Sequence, residues 1–431
     1  TDAGSRLGGL DDGERNLRAV FDECLTRLTH QQADLYRLLG LHPGPDISTL
    51  AVAALTDQPV DQITVLLRQL VQARLLTQNS QTRDRWSMHD LLRVHAQEQA
   101  RITMGGGRVS RRRLEQARTR LTAHYIRRAE VANRHLDRVE THVSALFSSR
   151  EHALAWFDAE RENLLAIAHT DLNTHEETAR LGFILGEYLQ RRWRLQDLLT
   201  LSEYALNACQ ALGRTRNLAA AWNNFGSALG SFKRYGESIE AHQTSLHLYQ
   251  QISDIRGEAS SRDNLGKMLG SLKRYDESVE SHQIALRLYR KIGNVRGQSD
   301  AWNNLGNTLG NLKRYDEALE AHQTSLRLEK QMGNTHSQAV SWNNVGTTFR
   351  ALGRLTEAIA AAEKAVAMLT QEEDWGRAGE AWGELATTLS ASGAKQSLIQ
   401  EAWEQSAAAY TRIGDREAAA TSLANAENCI A

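Results

Sequence analysis

The chain has 431 residues, and its 51 lysines and arginines nearly balance its 52 aspartates and glutamates. At roughly 150 residues per domain, this length predicts two or three domains, or one domain followed by a repeat array. The balanced charge argues against a protein that binds nucleic acid or an anionic membrane along its whole length. No apolar run is long enough to predict a membrane span. The cysteines Cys24, Cys209 and Cys429 lie too far apart for a disulfide framework or a metal motif, which predicts a reduced, cytoplasmic setting.

The prolines divide the chain into two parts. All three of them, Pro43, Pro45 and Pro59, lie within the first 59 residues. Proline is excluded from helix interiors because it lacks a backbone N–H and clashes with the preceding turn. The proline-free remainder, which is rich in Ala, Leu, Gln, Glu and Arg, therefore predicts a mainly helical protein.

Residues 1–10 are interpreted as a tail and residues 11–104 as the first domain. One helix is predicted to end at the break around Pro43, a short second helix to cover 50–55, and a third to cover 60–75. In the third helix the apolar residues recur at helical spacing. These elements form the helical half of the domain.

A short hairpin is predicted after the third helix. Residues 75–78 and 85–88 are strand-like and flank a polar turn. Asp90 is then placed to cap a further helix. Three helices followed by a hairpin describe a winged-helix domain.

Two motifs in this domain have a known counterpart. One is Met88-His89-Asp90 after the hairpin, and the other is the run from Leu38 to Gly44. They resemble the winged-helix domain of NB-ARC proteins, within the signal-transduction ATPases with numerous domains (STAND). They are most similar to those of actinobacterial regulators that carry C-terminal tetratricopeptide repeats.

The resemblance implies a role for His89. In the family, the histidine of the Met-His-Asp motif contacts the β-phosphate of bound ADP and holds a closed, inactive state. An imidazole N–H can donate a hydrogen bond to a phosphate oxygen. The alternative, from the residues alone, is that His89 and Asp90 only cap and pack a helix.

Residues 105–175 are interpreted as a linking helical region. The segment from Ala155 to Ala166 resembles the helix that precedes the repeats in the same family. Between Arg108 and Arg138, ten arginines face three acidic residues. This basic segment has two readings, a contact with nucleic acid or a solvated and acid-paired helix, and the second is favoured because the winged helix has only a weakly basic face.

A repeat of 40 residues begins near Glu176 and runs to residue 431. The segment Trp222-Asn223-Asn224 recurs around Trp302 and Trp342, and a related segment follows Arg262. About six units can be counted, with degenerate first and last units, as expected for repeats that have solvent on one side.

The pattern within a unit resembles the tetratricopeptide repeat. In the unit that starts at Trp302, a Leu305-Gly306 pair follows three residues later, and small residues such as Ala318 lie on the second helix. The missing side chain of Gly306 is expected to let Ala318 approach closely. A turn at Gly333-Asn334 replaces the proline of the shorter family unit. The predicted fold is mainly α: a winged helix with a short β-hairpin, then an α-α superhelix that ends in a capping helix.

The first helix of each unit lines the inner surface in this family. The polar residues that alignment places there are predicted to form a ligand groove: Asn223, Asn224, Asn264, Lys267, Asn303, Asn304, Asn307, Asn343 and Asn344. An Asn side chain offers both a donor and an acceptor to a peptide backbone. Alternatively, these side chains only tie neighbouring repeats together.

The repeated histidines His242, His282 and His322 could suggest a metal site. They lie one repeat apart, on successive helices, rather than at metal-ligand spacing on one helix. We therefore expect them to pack in the core or between repeats, and we predict no metal site.

A nucleotide-hydrolysing chain needs a phosphate-binding loop of the form G-x4-G-K-[ST]. The only Gly-Lys pair, Gly266-Lys267, lies within a repeat and precedes Met268. We therefore expect a C-terminal fragment of a STAND regulator, without catalytic residues or a cofactor of its own, whose parent binds ADP and ATP.

The predicted function is that of a sensor and autoinhibitory region. The repeats would bind a protein or peptide inducer, and the winged helix would contact the upstream nucleotide-binding domain and hold the ADP-bound state until activation and oligomerisation. A stand-alone tetratricopeptide scaffold and a winged-helix DNA-binding regulator are the alternatives.

Overall fold

The computed structural model describes residues 17–105, 108–136, 145–170 and 174–429, which are mainly helical. The expected tail at residues 1–10 lies outside them. The chain divides into two compact units, the first of Thr1–Arg134 and Val143–Ile184 and the second of His135–His142 and Leu185–Ala431. The division falls about ten residues beyond the predicted start of the repeats, inside a helix.

Within the described residues, the first unit contains six complete helices, nearly all of a seventh, and three strands. In chain order they are α1 (Leu17–Thr26), α2 (His30–Leu39), β1 (Asp46–Ser48), α3 (Thr49–Thr56), α4 (Val60–Gln72), β2 (Thr77–Gln78), β3 (Arg85–Ser87), α5 (Asp90–Gly105), α6 (Arg108–Leu136, whose last two residues belong to the second unit) and α7 (Arg150–His169). The helices α2 to α4 and the hairpin β2–β3 match the predicted elements.

A third strand completes the small sheet. β1 pairs antiparallel with β3, so that the strand order is β1-β3-β2 and Ile47 lies opposite Trp86. The buried indole of Trp86 donates through Nε1 to Thr49 Oγ1 at 2.8 Å, which ties β3 to α3. The sequence analysis missed β1 because three residues are too few to show a period of two.

The cap of α5 differs from the prediction. Asp90 is the first residue of the helix, with a fully solvated carboxylate, so it does not cap it. The residue before it, His89, accepts the N–H of Leu91 on Nδ1 at 3.4 Å. The helix therefore starts one residue too early for Asp90 to reach its free N–H groups.

The repeat helices follow in pairs. They are α8 (His175–Arg191, which spans the division between the units), α9 (Leu195–Leu212), α10 (Thr215–Ser231), α11 (Tyr235–Gln251), α12 (Ile255–Ser271), α13 (Tyr275–Lys291), α14 (Val295–Asn311), α15 (Tyr315–Met332), α16 (Thr335–Ala351), α17 (Leu355–Gln371), α18 (Trp375–Ala391), α19 (Gln396–Ile413) and α20 (Arg416–Asn428). Six pairs and one last helix confirm the predicted fold class.

The turns between pairs show why no proline is needed. Gly333 adopts a left-handed φ of +69°, which stops α15, and Gly293 does the same after α13 with a φ of +65°. The next residue is Asn, and its side chain caps the following helix: Asn294 accepts from Gly297 N at 3.0 Å, and Asn334 accepts from Ser337 N at 3.2 Å. A left-handed glycine followed by a capping residue therefore ends one helix and begins the next.

Inside each of three pairs, a glycine accommodates a histidine ring. A Cβ added to Gly306 would lie 2.5 Å from Cε1 of His322, and Gly226 and Gly266 face His242 and His282 in the same way. The sequence analysis assigned this space to Ala318. The ring fills it because the histidine lies one turn further along the second helix, on the same face.

Candidate functional site

The paired polar residues of the inner helices form a ladder between neighbouring repeats. Asn223 Oδ1 accepts from His242 Nδ1 of its own repeat at 2.9 Å and from Asn264 Nδ2 of the next repeat at 3.2 Å. One amide oxygen thus joins both helices of one repeat to the first helix of the next.

The same rung recurs twice, with one change of chemistry. Asp263 accepts from His282 Nδ1 at 2.7 Å and from Asn304 Nδ2 at 2.9 Å. Asn303 Oδ1 accepts from His322 Nδ1 at 3.2 Å and from Asn344 Nδ2 at 2.9 Å. A carboxylate can replace the amide in the middle rung because both of its partners are donors.

The ladder occupies only part of the predicted groove. Nδ2 donates a hydrogen bond to the preceding repeat in Asn264, Asn304 and Asn344. The Oδ1 atoms of these three residues accept no hydrogen bond from any described residue. The side chains of Asn224, Lys267 and Asn307 are exposed, and within the described residues they make no hydrogen bond to the ladder. Five of the nine predicted groove residues therefore tie neighbouring repeats together. They are Asn223, Asn264, Asn303, Asn304 and Asn344.

The ladder changes at the fifth repeat. Ala362 takes the place of the histidine, so that Asn343 Oδ1 is buried with no hydrogen-bond partner among the described residues. At the junction with the sixth repeat, Arg350 Nε and Glu384 Oε1 form an ion pair at 2.6 Å. Amide hydrogen bonds therefore give way to a charged contact towards the C-terminal end.

Charges from distant repeats are coupled across the inner surface. Lys267 keeps solvent-exposed surface, but the protein around it still lowers its pKa by desolvation, and the nearby Arg377 lowers the pKa further. Asp263, Asp300 and Glu380 act in the opposite direction. Lys267 lies on the first helix of the third repeat, and Arg377 and Glu380 lie on the first helix of the sixth, so we take the surface of the first helices as the concave side.

Of the three ladder histidines, His242 and His322 are buried groups with lowered pKa values. Burial lowers the pKa of His242 and of His322 to about 4. Nδ1 is engaged in the ladder, and the Nε2 atoms of His242 and His282 are buried without a hydrogen bond. The part of the chain that the structure describes contains no group of three or more His, Cys, Asp or Glu side chains able to hold a metal ion.

His89, the predicted nucleotide contact, lies exposed at the start of α5. Because its Nδ1 accepts the Leu91 N–H, the ring proton is assigned to Nε2, which points away from that bond. Arg93 holds the surrounding backbone by donating to Gly44 O at 3.0 Å and to Met88 O at 3.1 Å. The two motifs that carry the family resemblance are therefore joined by one guanidinium.

A buried ionic network behind this loop escaped the sequence analysis. Arg85 of β3 contacts Asp46 of β1 through Nε at 2.8 Å and Glu160 of α7 through Nη1 at 2.9 Å. Asn163 donates to Glu160 Oε2 at 2.6 Å. Burial acts to raise the pKa of Asp46, but the hydrogen bonds from Arg85 and Asn163 outweigh it and hold it below its usual value.

Several arginines of the basic segment are used within the first unit. Arg113 pairs with Asp34 at 3.1 Å, and Arg120 donates to Leu55 O at 2.9 Å. The guanidinium of Arg128 lies 5.4 Å from the ring centre of Phe147. These contacts favour a structural role for the segment over nucleic-acid binding.

No described helix is long and apolar enough to cross a membrane.

Comparison with known proteins shows that the repeats match a family model. The tetratricopeptide repeat model matches residues 217–291, 256–331 and 297–371. The chain is 33% identical over 178 residues to the regulatory protein AfsR of Streptomyces coelicolor, which covers 39% of this chain and 18% of that protein. The match to AfsR of Streptomyces griseus is 34% identical over 178 residues and covers 38% and 17%. The chain thus spans less than a fifth of these relatives.

Among solved structures, the chain is similar to a STAND protein with a tetratricopeptide repeat sensor from Pyrococcus horikoshii. The identity is 14%, the TM-score is 0.43, and the match covers 97% of this chain and 65% of that one. The tetratricopeptide repeat model thus matches residues 217–371, and the chain is similar over part of its length to the AfsR regulatory proteins.

Proposed function

We propose that this chain is the sensor region of a STAND-type regulator, and that its repeats bind a protein or peptide inducer on the concave side. The observation that carries the proposal is that some polar groups of this surface link the repeats to one another, while others make no such link. The Nδ2 atoms of Asn264, Asn304 and Asn344 tie neighbouring repeats together and leave their Oδ1 atoms available, while Asn224, Lys267 and Asn307 lie outside the ladder on the same surface.

The chemistry of this surface suits an extended peptide backbone. The Oδ1 atoms of Asn264, Asn304 and Asn344 recur once per repeat as acceptors, and Asn224 and Asn307 add donors. The ladder holds Asn264, Asn304 and Asn344 through Nδ2, so that little conformational entropy is lost when a ligand binds to their Oδ1 atoms. Acceptors repeated along the array suit the N–H groups of a peptide backbone rather than a single side chain.

A phage-displayed library of random peptides, selected on the full chain, tests this proposal. We expect selected peptides to bind the parent chain and to bind Asn307→Ala about tenfold more weakly, since one lost hydrogen bond costs about 1–1.5 kcal/mol. Gln323→Ala, on the exposed face of the second helix of the same repeat, is the matched control and should bind normally. Equal binding by Asn307→Ala and the parent would contradict a concave site.

The nucleotide role of His89 is the second part of the proposal. In a longer protein with an upstream ATPase domain, His89 Nε2–H would donate to a phosphate of ADP and stabilise the inactive state. Its exposure, its assigned tautomer and the Arg93 brace support this role. Inducer binding to the repeats would favour the open state, provided that the inducer binds that state more tightly.

This part is tested by the nucleotide content of such a longer protein. His89→Ala should lose ADP during purification, whereas His30→Ala, a change of another exposed histidine in the first unit, should retain it. Full retention of ADP by His89→Ala would contradict the assignment and leave the peptide proposal untouched.

A further inference from the structure

Two positions depart from the repeat pattern in complementary ways. The turn between the helices of a unit carries Lys233, Lys273 and Lys313 in successive repeats, but the first repeat has Trp193 there. At the second residue of the first helix, Arg216, Arg256 and Arg296 recur, the fifth repeat has His336, and the sixth has Gly376. The largest side chain thus stands in place of the Lys of repeats two to four in one unit, and the smallest residue stands in place of their Arg in another.

These two residues meet. A Cβ added to Gly376 would lie 2.0 Å from Nε1 and Cε2 of Trp193 and 2.3 Å from Cζ2. The edge of the indole therefore rests on the backbone of α18. No side chain larger than hydrogen fits there unless the indole moves, so the Arg of the second, third and fourth repeats would prevent the contact.

The contact joins the first repeat to the sixth. Contacts in a solenoid normally involve only neighbouring repeats. Trp193 lies in the turn before α9, and Gly376 lies at the start of α18, with four complete helix pairs between them. The second unit therefore closes on itself through these two residues.

The inner surface shows the same closure. Lys267 of the third repeat is coupled to Arg377 and Glu380 of the sixth, so that opposite walls of the concave side are near enough to interact. Arg377 directly follows the glycine against which Trp193 rests. The contact and the facing charges thus belong to one arrangement of the array.

We propose that Trp193 and Gly376 form a latch that holds the repeat array closed and limits access to its concave side. Release of the latch would let the array unwind and would expose the inner surface. The latch is a property of the chain itself and does not depend on which ligand binds, or on whether one binds.

Small-angle X-ray scattering of the full chain tests the latch. Gly376→Arg introduces the residue that the second, third and fourth repeats carry, and Trp193→Ala removes the indole. Both should increase the radius of gyration and the maximum dimension. The matched controls are Gly236→Arg, at the second residue of α11 with open space around it, and Lys313→Ala, at the same turn position as Trp193. Both controls should scatter like the parent.

A cross-linking experiment covers the case in which a variant misfolds. In a chain whose three native cysteines are replaced, a Trp193→Cys/Gly376→Cys pair should be joined within one molecule by a short bismaleimide. A Lys313→Cys/Gly376→Cys pair should not. Parent-like scattering by both folded latch variants, or no cross-link in the folded Trp193→Cys/Gly376→Cys protein, would overturn the proposal.

Discussion

The two units stabilise their buried polar groups in different ways. The first unit concentrates them in one ionic network, in which Arg85 contacts both Asp46 and Glu160. The second unit spreads them over a ladder of three separate rungs, in its second, third and fourth repeats, of which Asn223 and Asn303 are examples. We therefore expect single changes to be far more costly in the network than in the ladder, where each rung affects only its neighbours.

The largest effect is expected for Glu160→Ala. Both Glu160 and Arg85 are almost fully buried, so the change leaves a buried guanidinium with half of its ionic partners. A loss of about 3–5 kcal/mol in the stability of the first unit follows. Hydrogen exchange of β1 and β3 in urea measures it. Glu115→Ala, which breaks an exposed pair with Arg111, should cost less than about 1 kcal/mol; equal losses would remove the distinction between the two kinds of ion pair.

Next in size is a pair of changes on one helix. Gly306→Ala places a methyl group against the ring of His322 and should destabilise the second unit by about 1–3 kcal/mol. Gly310→Ala, one turn later, meets nothing within 4 Å and should stabilise α14 by about 1 kcal/mol. Urea unfolding followed by circular dichroism gives both values, and effects of the same sign would contradict the packing described for the glycine and histidine.

Removing a single rung of the ladder is expected to reduce the stability of the second unit by the same amount as Gly306→Ala or by less. Asp263→Ala removes the acceptor of His282 and Asn304 and should cost about 1–3 kcal/mol. Asp263→Asn restores the residue of the neighbouring rungs and should cost less than about 1 kcal/mol. Comparable losses in urea unfolding would show that the negative charge, rather than the hydrogen-bond pattern, holds this rung.

The smallest expected effect is the loss of folding stability in mild acid. In the folded protein the pKa of His242 and of His322 is about 4, which is below the value near 6.5 in the unfolded chain. The stabilisation that depends on their neutral rings is therefore complete at a pH above about 6.5 and is lost as the pH falls towards 4. Between pH 7 and pH 6, each histidine should reduce stability by about half a kcal/mol to 1 kcal/mol. His322→Gln should flatten the dependence in urea titrations; an unchanged slope would contradict a buried neutral ring.

The comparison also explains what the sequence could predict. In the second unit, each local signal recurs every 40 residues, so the helices, the Gly333-Asn334 turn and the capping Asn could be read from the chain. The network of the first unit joins Asp46 to Asn163, 117 residues apart, and leaves no local pattern. The nine groove residues were placed on the right helices, but their hydrogen bonds depend on neighbours one repeat away. Trp193 and Gly376 are visible as departures from the pattern, yet only the fold shows that they meet.

The central claim is that the concave side of the repeats binds a ligand. Hydrogen–deuterium exchange of the full chain, with and without a peptide selected from the random library, tests it most directly. Added peptide should slow exchange in α10, α12 and α14, which carry Asn224, Lys267 and Asn307, and leave the second helices α11, α13 and α15 unchanged. Protection confined to the second helices or to the first unit would contradict the claim.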